Sequence, residues 1–268
     1  MFAHCCNGCR DARRRPAFFS RSLSILFAKG VRYGTFIDVG CADGHLFLNL
    51  MAAGLFPGAV PLHIDPNPIY EDSLKAIQEV VGGHYRMCAI TDREGEIELT
   101  MSVHPYWTSL RPAGDSYWGR INHLIADKRM VPATMLDTLH EQLGLKPPFL
   151  LKLDVQGAES AVLRGAKKVL TQTHVVICEA DVDDFQSINA IMLDHNFVLF
   201  DVTNLNRIAD GTLGWFYPVY VNRALDFVRP KAFWSTEYNQ VIIRAQAERR
   251  AAILKSNAEI LARLRKSL

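Results

Sequence analysis

The chain has 268 residues, of which 49% are hydrophobic and 22% are charged, a composition that suits one large α/β domain with a buried core and argues against general disorder. Lys and Arg (30) nearly balance Asp and Glu (28), and the formal net charge of +2 does not predict the concentrated positive field of a nucleic-acid-binding protein. No apolar run approaches the about 20 residues that a membrane-spanning helix needs, so no membrane span is predicted.

The first 30 residues are predicted to form an N-terminal extension without a convincing signal peptide. Cys5, Cys6 and Cys9 lie close to His4, but the chain offers no matching second cysteine pair to close a tetrahedral zinc site. We interpret this segment as a disordered terminus with free thiols. Free cysteines and the lack of a signal sequence favour a reducing, cytoplasmic location.

Short apolar, β-branched runs alternate with helical segments between Thr35 and Asp201, a pattern typical of βαβ units. The predicted fold class is α/β, with a doubly wound, mainly parallel sheet of about seven strands in a domain over residues 31–245. The strands of this sheet are predicted at residues 35–39, 60–64, 84–90, 148–154, 175–180, 197–202 and 238–245. A further strand at residues 96–101 follows a turn at Glu94-Gly95.

Helices are predicted between these strands from their start and stop residues. Gly54 ends the first helix, Asn67-Pro68 supplies an N-cap and a first-turn proline for the second, and Gly165 interrupts a later one. Residues 102–129 lack a regular period and are predicted to form a long functional loop with short helical pieces. The other helical ranges are residues 45–53, 136–143, 158–170 and 185–195.

Residues 246–268 are predicted to form an amphipathic C-terminal helix, because apolar side chains recur among charges. Those apolar residues are Ile253, Ile260, Leu261 and Leu264. We expect this helix to pack against the domain or against a second subunit. A homo-oligomer formed through it is therefore one of the partners that the sequence suggests.

A glycine-rich turn follows the first predicted strand. Asp38 lies near the end of that strand, and Gly40 and Gly44 then lead into a helix. This arrangement brings the backbone close to a ligand, because glycine lacks the Cβ that would block the approach. A glycine-rich turn without a ligand is the alternative interpretation of this segment alone.

Asp65 lies at the end of the next predicted strand, where a carboxylate meets ribose hydroxyls in nucleotide-binding doubly wound folds. A dinucleotide dehydrogenase uses the same geometry, but its Gly-x-Gly-x-x-Gly fingerprint is missing here. Asp38 and Asp43 would also repel a pyrophosphate, whereas a cofactor with a cationic amino-acid end and a sulfonium would tolerate them. NAD is therefore the weaker cofactor hypothesis.

A third motif, Lys152-Leu153-Asp154-Val155-Gln156-Gly157-Ala158-Glu159, places an acid at the mouth of the fourth predicted strand. With it, the motifs at residues 36–44, 64–67, 89–92, 108–110 and 135–139 resemble those of the FkbM-type class I methyltransferases, in the same order. The resemblance covers roughly residues 35–180. The family typically has Lys-Ile-Asp-Val-Glu-Gly followed by Ala-Glu, so Gln156 replaces the usual glutamate, while Cys41 and Asp43 replace alanine and asparagine.

The resemblance implies a Rossmann-like class I methyltransferase fold with S-adenosylmethionine as cofactor. The implied contacts are to the methionine part from Asp38, Gly40 and Gly44, to the ribose from Asp65, to the adenine edge from Ala89 and Ile90, and to the carboxylate or methyl end from Ser109 and Asp154. The predicted cofactor-binding set is completed by Cys41, Ala42, Asp43 and Pro66.

The resemblance also implies O-methylation of a hydroxyl group on a sugar, glycan or natural-product acceptor. Asp154 is the first candidate for the base that removes the hydroxyl proton, and His104 in the aromatic loop is the second. Glu179 and Asp181 would offer oxygen ligands to magnesium beside Asp154, but the sequence does not establish that cluster and no metal is predicted. The alternatives are an N-methyltransferase of the same fold and a noncatalytic cofactor-binding or assembly module, which Gln156 suggests.

Overall fold

A computed structural model of the chain describes residues 19–103, 108–109, 125–228 and 236–267. The chain divides after Val228 into two compact units. Strands and helices alternate in the first unit, and the described part of the second unit is a single long helix. The predicted α/β class is confirmed.

The strands are, in chain order, β1 Thr35–Val39, β2 Val60–Ile64, β3 His84–Arg86, β4 Ala89–Ile90, β5 Gly95–Ser102, β6 Ile125–Thr134, β7 Phe149–Leu153, β8 Thr173–Cys178, β9 Ala180–Asp181, β10 Phe197–Thr203 and β11 Trp215–Asn222. The helices are α1 Ser20–Ala28, α2 His45–Ala52, α3 Glu71–Val81, α4 Leu136–Leu143, α5 Glu159–Arg164, α6 Lys167–Thr171, α7 Phe185–Asp194 and α8 Thr236–Ser267. A short 3-10 turn precedes α3, and the Asn67 side chain caps it by accepting a hydrogen bond from the backbone N–H of Ile69, as predicted.

The central sheet has the strand order β10-β11-β8-β7-β1-β2-β3, and the short β9 pairs with β11. The strands from β8 to β3 are parallel to one another, and β11 runs antiparallel to its neighbours β8 and β10. After β1 the chain continues to β2 on one side of it, and later returns as β7 on the other side. The predicted doubly wound, mainly parallel sheet is confirmed, with its topological switch point between β1 and β7.

One predicted strand of this sheet is wrong. Residues 238–245 lie in α8, and the antiparallel strand beside β10 is β11. β11 contains Pro218, and proline usually argues against a strand in the middle of a sheet. The sequence of β11 therefore does not predict a strand. The apolar residues of the mistaken segment follow the helical spacing i, i+3, i+4, i+7, namely Tyr238, Val241, Ile242 and Ala245.

A second, smaller sheet has the order β4-β6-β5. The strand predicted over residues 84–90 is two short strands, because β3 pairs with β2 and β4 pairs with β6. β6 pairs antiparallel with β5, so residues 125–129 are strand and not the predicted loop. Lys128 and Arg129 are exposed in this pair, and such a solvated strand carries no apolar period that would mark it.

Apolar side chains cover both faces of the central sheet. On one face, Phe36, Phe47 and Phe56 stack with ring centroids 5.2 to 5.8 Å apart. Leu23 and Leu26 of α1 are buried in the same cluster, so this part of the predicted N-terminal extension belongs to the packed domain. Within the described ranges, no helix is both long and apolar enough to cross a membrane.

Candidate active site

The turns that follow β1 and β7 meet at the switch point of the central sheet, where open α/β sheets bind their ligands. Gly40, directly after β1, has φ +72°. A Cβ built on it would lie 1.9 Å from the backbone oxygen of Asp154. Any side chain at position 40 would therefore push the two turns apart, and the glycine is required by this contact within the protein.

The rest of the glycine turn presents mainly backbone. Ala42 and Gly44 both have positive φ, and Gly44 is the N-cap residue of α2. Cys41 is buried, and burial raises the pKa of its thiol well above the usual value, so this thiol is an inert part of the core. Asp43 accepts a hydrogen bond from the backbone N–H of His45 at 3.1 Å. A ligand would therefore meet Cys41 through its backbone.

Asp65 follows β2 and accepts two backbone hydrogen bonds. Its Oδ2 accepts from the N–H of Ala42 and its Oδ1 accepts from the N–H of Asn67, both at 2.9 Å. Burial raises the pKa of this carboxyl group to about 6, although both hydrogen bonds act in the opposite direction. Each oxygen has a second lone pair, so Asp65 presents two acceptors beside the glycine turn, next to the partly exposed Pro66.

Asp38 and Lys152 face each other in register from β1 and β7. The Lys152 Nζ lies 3.0 Å from Asp38 Oδ1, with side chains 4% and 0% exposed, and donates to the Gly40 carbonyl at 2.7 Å. Burial lowers the pKa of Lys152, but the Asp38 and Asp154 carboxylates raise it by more, so the amine stays charged. The Asp38 side chain is fully buried, and its predicted contact with the methionine part of the cofactor stays a prediction.

A second group of polar side chains lies at the ends of β7 and β8 and in β11. We call this group, made of Asp154, Gln156, Glu179 and Tyr217, the carboxyl cluster. Gln156 Nε2 donates to Asp154 Oδ1 and to Glu179 Oε2, both at 2.8 Å. The Tyr217 hydroxyl lies 3.0 Å from Asp154 Oδ2 and 3.1 Å from Glu179 Oε1. Lys152 Nζ is 3.7 Å from Asp154 Oδ2, which connects the cluster to the buried ion pair.

Burial differs among the carboxyl groups of this region. The Asp154 side chain is 23% exposed, whereas Glu179 is 6% exposed. Burial raises the pKa of Glu179 well above its usual value, the charges of Asp154 and Glu159 raise it further, and the hydrogen bond from Tyr217 opposes them. Burial also raises the pKa of Glu159 to about 7, although its Oε1 accepts a hydrogen bond from the Val155 N–H at 2.9 Å. Asp154 is therefore the cluster carboxyl that a ligand reaches first.

Four other predicted residues fall in different places. Ser109 Oγ donates to the Gln156 carbonyl at 2.8 Å, which puts Ser109 beside the carboxyl cluster. Ala89 and Ile90 form β4 with buried side chains, so only their backbone would meet an adenine edge. His104 lies outside the described residues.

The acids considered as magnesium ligands have other partners. Asp181 Oδ1 accepts from the backbone N–H groups of Asp183 and Asp184 at the start of α7. Glu179 is held by Gln156 and Tyr217, as described above. In the parts of the chain that the structure describes, no group of three His, Cys, Asp or Glu side chains is arranged to hold a metal ion.

Sequence reasoning assigned no role to Lys152 and missed its contacts. A signal for Lys152 exists, because a lysine inside the apolar run of residues 149–153 must be paired when the strand is buried. Tyr217 has no comparable signal. Its contacts with Asp154 and Glu179 depend on the position of β11, a strand that was not predicted from the sequence.

The chain was compared with protein families, with curated proteins and with solved structures. The profile of the family described as Methyltransferase FkbM domain matches residues 38–199. The chain is 30% identical over 165 residues to the 2-O-methyltransferase NoeI of Sinorhizobium fredii (strain NBRC 101917 / NGR234). That alignment covers 53% of this chain and 61% of the relative, so less than two thirds of the relative is matched.

Solved structures are more distant. The methyltransferase FkbM from Methylobacillus flagellatus KT is 13% identical, with a TM-score of 0.42 over 70% of this chain and 43% of that one. The precorrin-6y C5,15-methyltransferase from Geobacter metallireducens GS-15 is 8% identical, with a TM-score of 0.37 over 75% of this chain and 89% of that one.

Proposed function

The chain belongs to the Methyltransferase FkbM domain family, and on that premise we propose that it transfers a methyl group from S-adenosylmethionine to a hydroxyl group of a small-molecule or glycan acceptor. One observation carries this proposal. Asp65 after β2 and Asp154 after β7 lie on either side of the glycine turn after β1, at the switch point of the sheet. Doubly wound sheets bind nucleotides at this point.

The side chains at this site suit S-adenosylmethionine by their chemistry. The two free lone pairs of Asp65 match the two hydroxyl groups of a ribose. The partly exposed Asp154 suits a ligand that carries a cationic sulfonium and an ammonium group. A pyrophosphate would meet the same carboxylates as repelling charges, which weighs against NAD.

The bound cofactor would supply a methyl group that is activated by its bond to a positively charged sulfur. The contribution of the chain itself is alignment and proton removal. Gly40 lets the turn after β1 touch the turn after β7, which holds Asp154 close to the glycine turn. Asp154, in its ionised form, accepts a hydrogen bond from the acceptor hydroxyl and takes its proton as the oxygen gains the methyl carbon.

Transfer to oxygen is favoured over transfer to nitrogen by two observations. The curated relative is named a 2-O-methyltransferase. The site also offers a reachable carboxylate in Asp154, which a hydroxyl acceptor needs and a neutral amine does not. We place the reaction in the cytoplasm because the cysteines of the described residues, Cys41, Cys88 and Cys178, are free thiols, as is usual in a reducing compartment.

The proposed function is tested by isothermal titration of the purified chain with S-adenosylhomocysteine, with NAD as the control. We expect saturable binding of S-adenosylhomocysteine and none of NAD. A screen of hydroxylated acceptors with a labelled methyl group then follows, and the mass and fragmentation of the product identify the methylated atom. Absence of S-adenosylhomocysteine binding by folded protein would overturn the proposal, and binding without turnover on any acceptor would support the noncatalytic alternative.

Asp65→Ala is expected to weaken S-adenosylhomocysteine binding by about 1–3 kcal/mol, because ribose hydroxyls would lose their acceptor. This corresponds to roughly a five- to 150-fold higher Kd by titration calorimetry. Asp72→Ala removes the same charge from an exposed position of α3 and serves as the control. Unchanged affinity in Asp65→Ala would remove Asp65 from the binding site.

The affinity for S-adenosylhomocysteine is also expected to fall as the pH decreases through about 6, the raised pKa of Asp65. Above that pH the ionised carboxylate accepts hydrogen bonds from the ligand, and protonation below it removes the charge that makes those bonds strong. Titrations across this range should show the loss in the unmodified chain. Asp65→Asn has no group to protonate at this position, and an equally steep loss in that variant would assign the pH dependence to another residue.

A further inference from the structure

The Tyr217 hydroxyl makes contacts that its single proton does not satisfy alone. It lies within hydrogen-bond distance of two carboxyl groups, 3.0 Å from Asp154 Oδ2 and 3.1 Å from Glu179 Oε1. A hydroxyl donates one hydrogen bond, and an ionised carboxylate only accepts. If both carboxyl groups were ionised, one of the two contacts would join two acceptors. The geometry is satisfied when one carboxyl carries a proton and donates it.

Gln156 joins the same two carboxyl groups on their other oxygens. Both N–H bonds of its amide are used, one to Asp154 Oδ1 and one to Glu179 Oε2. This use fixes the orientation of the amide, because only its nitrogen can donate. Gln156 is itself held in place, since its backbone has φ +54° and its carbonyl accepts from Ser109. The two carboxyl groups are therefore held together by one bridge from Gln156 and one from Tyr217.

The surroundings decide which carboxyl group carries the proton. Asp154 is partly exposed and lies 3.7 Å from the charged Nζ of Lys152, so it has both water and a cation beside it. Glu179 is buried, and it faces the carboxyl groups of Asp154 and Glu159, the Tyr217 hydroxyl and, along β8, the thiol of Cys178. Burial and the two neighbouring acids raise its pKa well above the usual value. Glu179 is therefore the protonated member.

We propose that Asp154 and Glu179 together carry one proton at neutral pH, which is held by Glu179, and that Gln156 and Tyr217 are positioning residues that maintain this state. Its catalytic meaning rests on the proposed function. One charged carboxylate, Asp154, is then offered to the acceptor hydroxyl. After it takes the acceptor proton, Asp154 returns it to water through its exposed side, and Glu179 keeps its own proton throughout.

The proposal also explains the glutamine at position 156. The related motif has glutamate there, and a glutamate would bring a third carboxyl group against Asp154 and Glu179. The amide of Gln156 instead donates to both, which stabilises the singly protonated pair without a further charge. In this proposal, Gln156 supports the singly protonated pair, so its presence does not indicate a loss of activity.

The test is infrared spectroscopy of the unliganded, full-length chain, followed through the C=O stretch of a protonated carboxyl group and its shift in deuterated water. The measurement is made at about pH 8, where Glu159 and Asp65, with pKa values of about 7 and about 6, are mostly ionised. We expect the unmodified chain to show this band. Glu179→Gln should abolish it, whereas the matched Glu159→Gln should leave it in place.

A third variant and the results that would contradict the proposal complete the experiment. Gln156→Glu should increase the band, because the added carboxyl group must also be protonated beside two others. Absence of the band in the unmodified chain, or its persistence in Glu179→Gln, would overturn the proposal. If Glu179→Gln does not fold, the band of Glu159→Gln at the same pH decides alone. Neither cofactor nor acceptor is present, so this result is independent of the S-adenosylhomocysteine titration.

Discussion

Lys152→Met is expected to lower the free energy of unfolding by about 3–5 kcal/mol, because it leaves a buried charge without its partner. The lysine side chain is 4% exposed, and among the described residues its amine is the cation that lies within 4 Å of the fully buried Asp38. Methionine fills a similar volume but supplies neither the charge nor the hydrogen bond to the Gly40 carbonyl. Urea denaturation followed by circular dichroism measures the effect, with the unmodified chain and the variant at the same pH.

A matched lysine provides the control. Lys168 pairs with Glu141 at the surface, where both side chains are more than half exposed. Lys168→Met should change the stability far less, because an exposed ion pair is screened by water. The double variant Lys152→Met with Asp38→Asn should recover part of the loss, since it removes the unpaired charge as well. Equal, small losses in Lys152→Met and Lys168→Met would show that the buried pair contributes little.

The parts of the fold that follow buried apolar runs could be predicted from the sequence. β1 and β2 have the predicted bounds, because β1 is buried throughout and β2 is buried after its first residue, each between turn residues. α4 also has its predicted bounds, with Gly144 in the left-handed conformation at its C-terminus. Solvated or irregular elements could not be predicted in this way. Residues 127–130 of β6 are exposed, and β11 carries Pro218 inside the sheet.

The candidate site likewise contains residues that local motifs locate and contacts that depend on how distant strands pair. Asp65 and Asp154 could be located because a parallel sheet collects the carboxyl ends of its strands at one edge, so local motifs report a shared position. The pairing of Asp38 with Lys152 requires the register of β1 against β7, which no local pattern contains. Tyr217 and Asp154 are 63 positions apart in the chain, and their contact depends on the antiparallel placement of β11.

The buried ion pair and the carboxyl cluster are connected by one cation, the amine of Lys152. Lys152 contacts Asp38 at 3.0 Å and Asp154 at 3.7 Å, so one amine lies between the fully buried acid of β1 and the partly exposed acid after β7. Charge in this region is therefore distributed over few groups. In our proposal, Glu179 is neutral, and Asp154 next to Lys152 is the group that takes the proton of the acceptor hydroxyl.

Asp154→Asn is expected to lower kcat by roughly 10²–10⁴-fold, the usual contribution of a positioned general base. Affinity for S-adenosylhomocysteine should fall by much less, because this product lacks the sulfonium charge that Asp154 would attract. The amide has the same shape and keeps both contacts of Asp154, because its oxygen accepts from Gln156 and its nitrogen donates to the Tyr217 hydroxyl. What the variant loses is the capacity to take a proton. Transfer of labelled methyl to the acceptor from the screen measures turnover, and calorimetry measures binding.

The ratio of these two measurements decides the role of Asp154. A base acts on the reaction and leaves the ground-state affinity for S-adenosylhomocysteine nearly intact, so kcat falls while Kd is kept. Asp194→Asn makes the same chemical change at an exposed position at the end of α7 and should alter neither quantity. Equal losses of turnover and of affinity in Asp154→Asn would make this acid a binding residue. The proton of the acceptor would then have to leave through another group, and the charge pattern around Lys152 would serve cofactor binding alone.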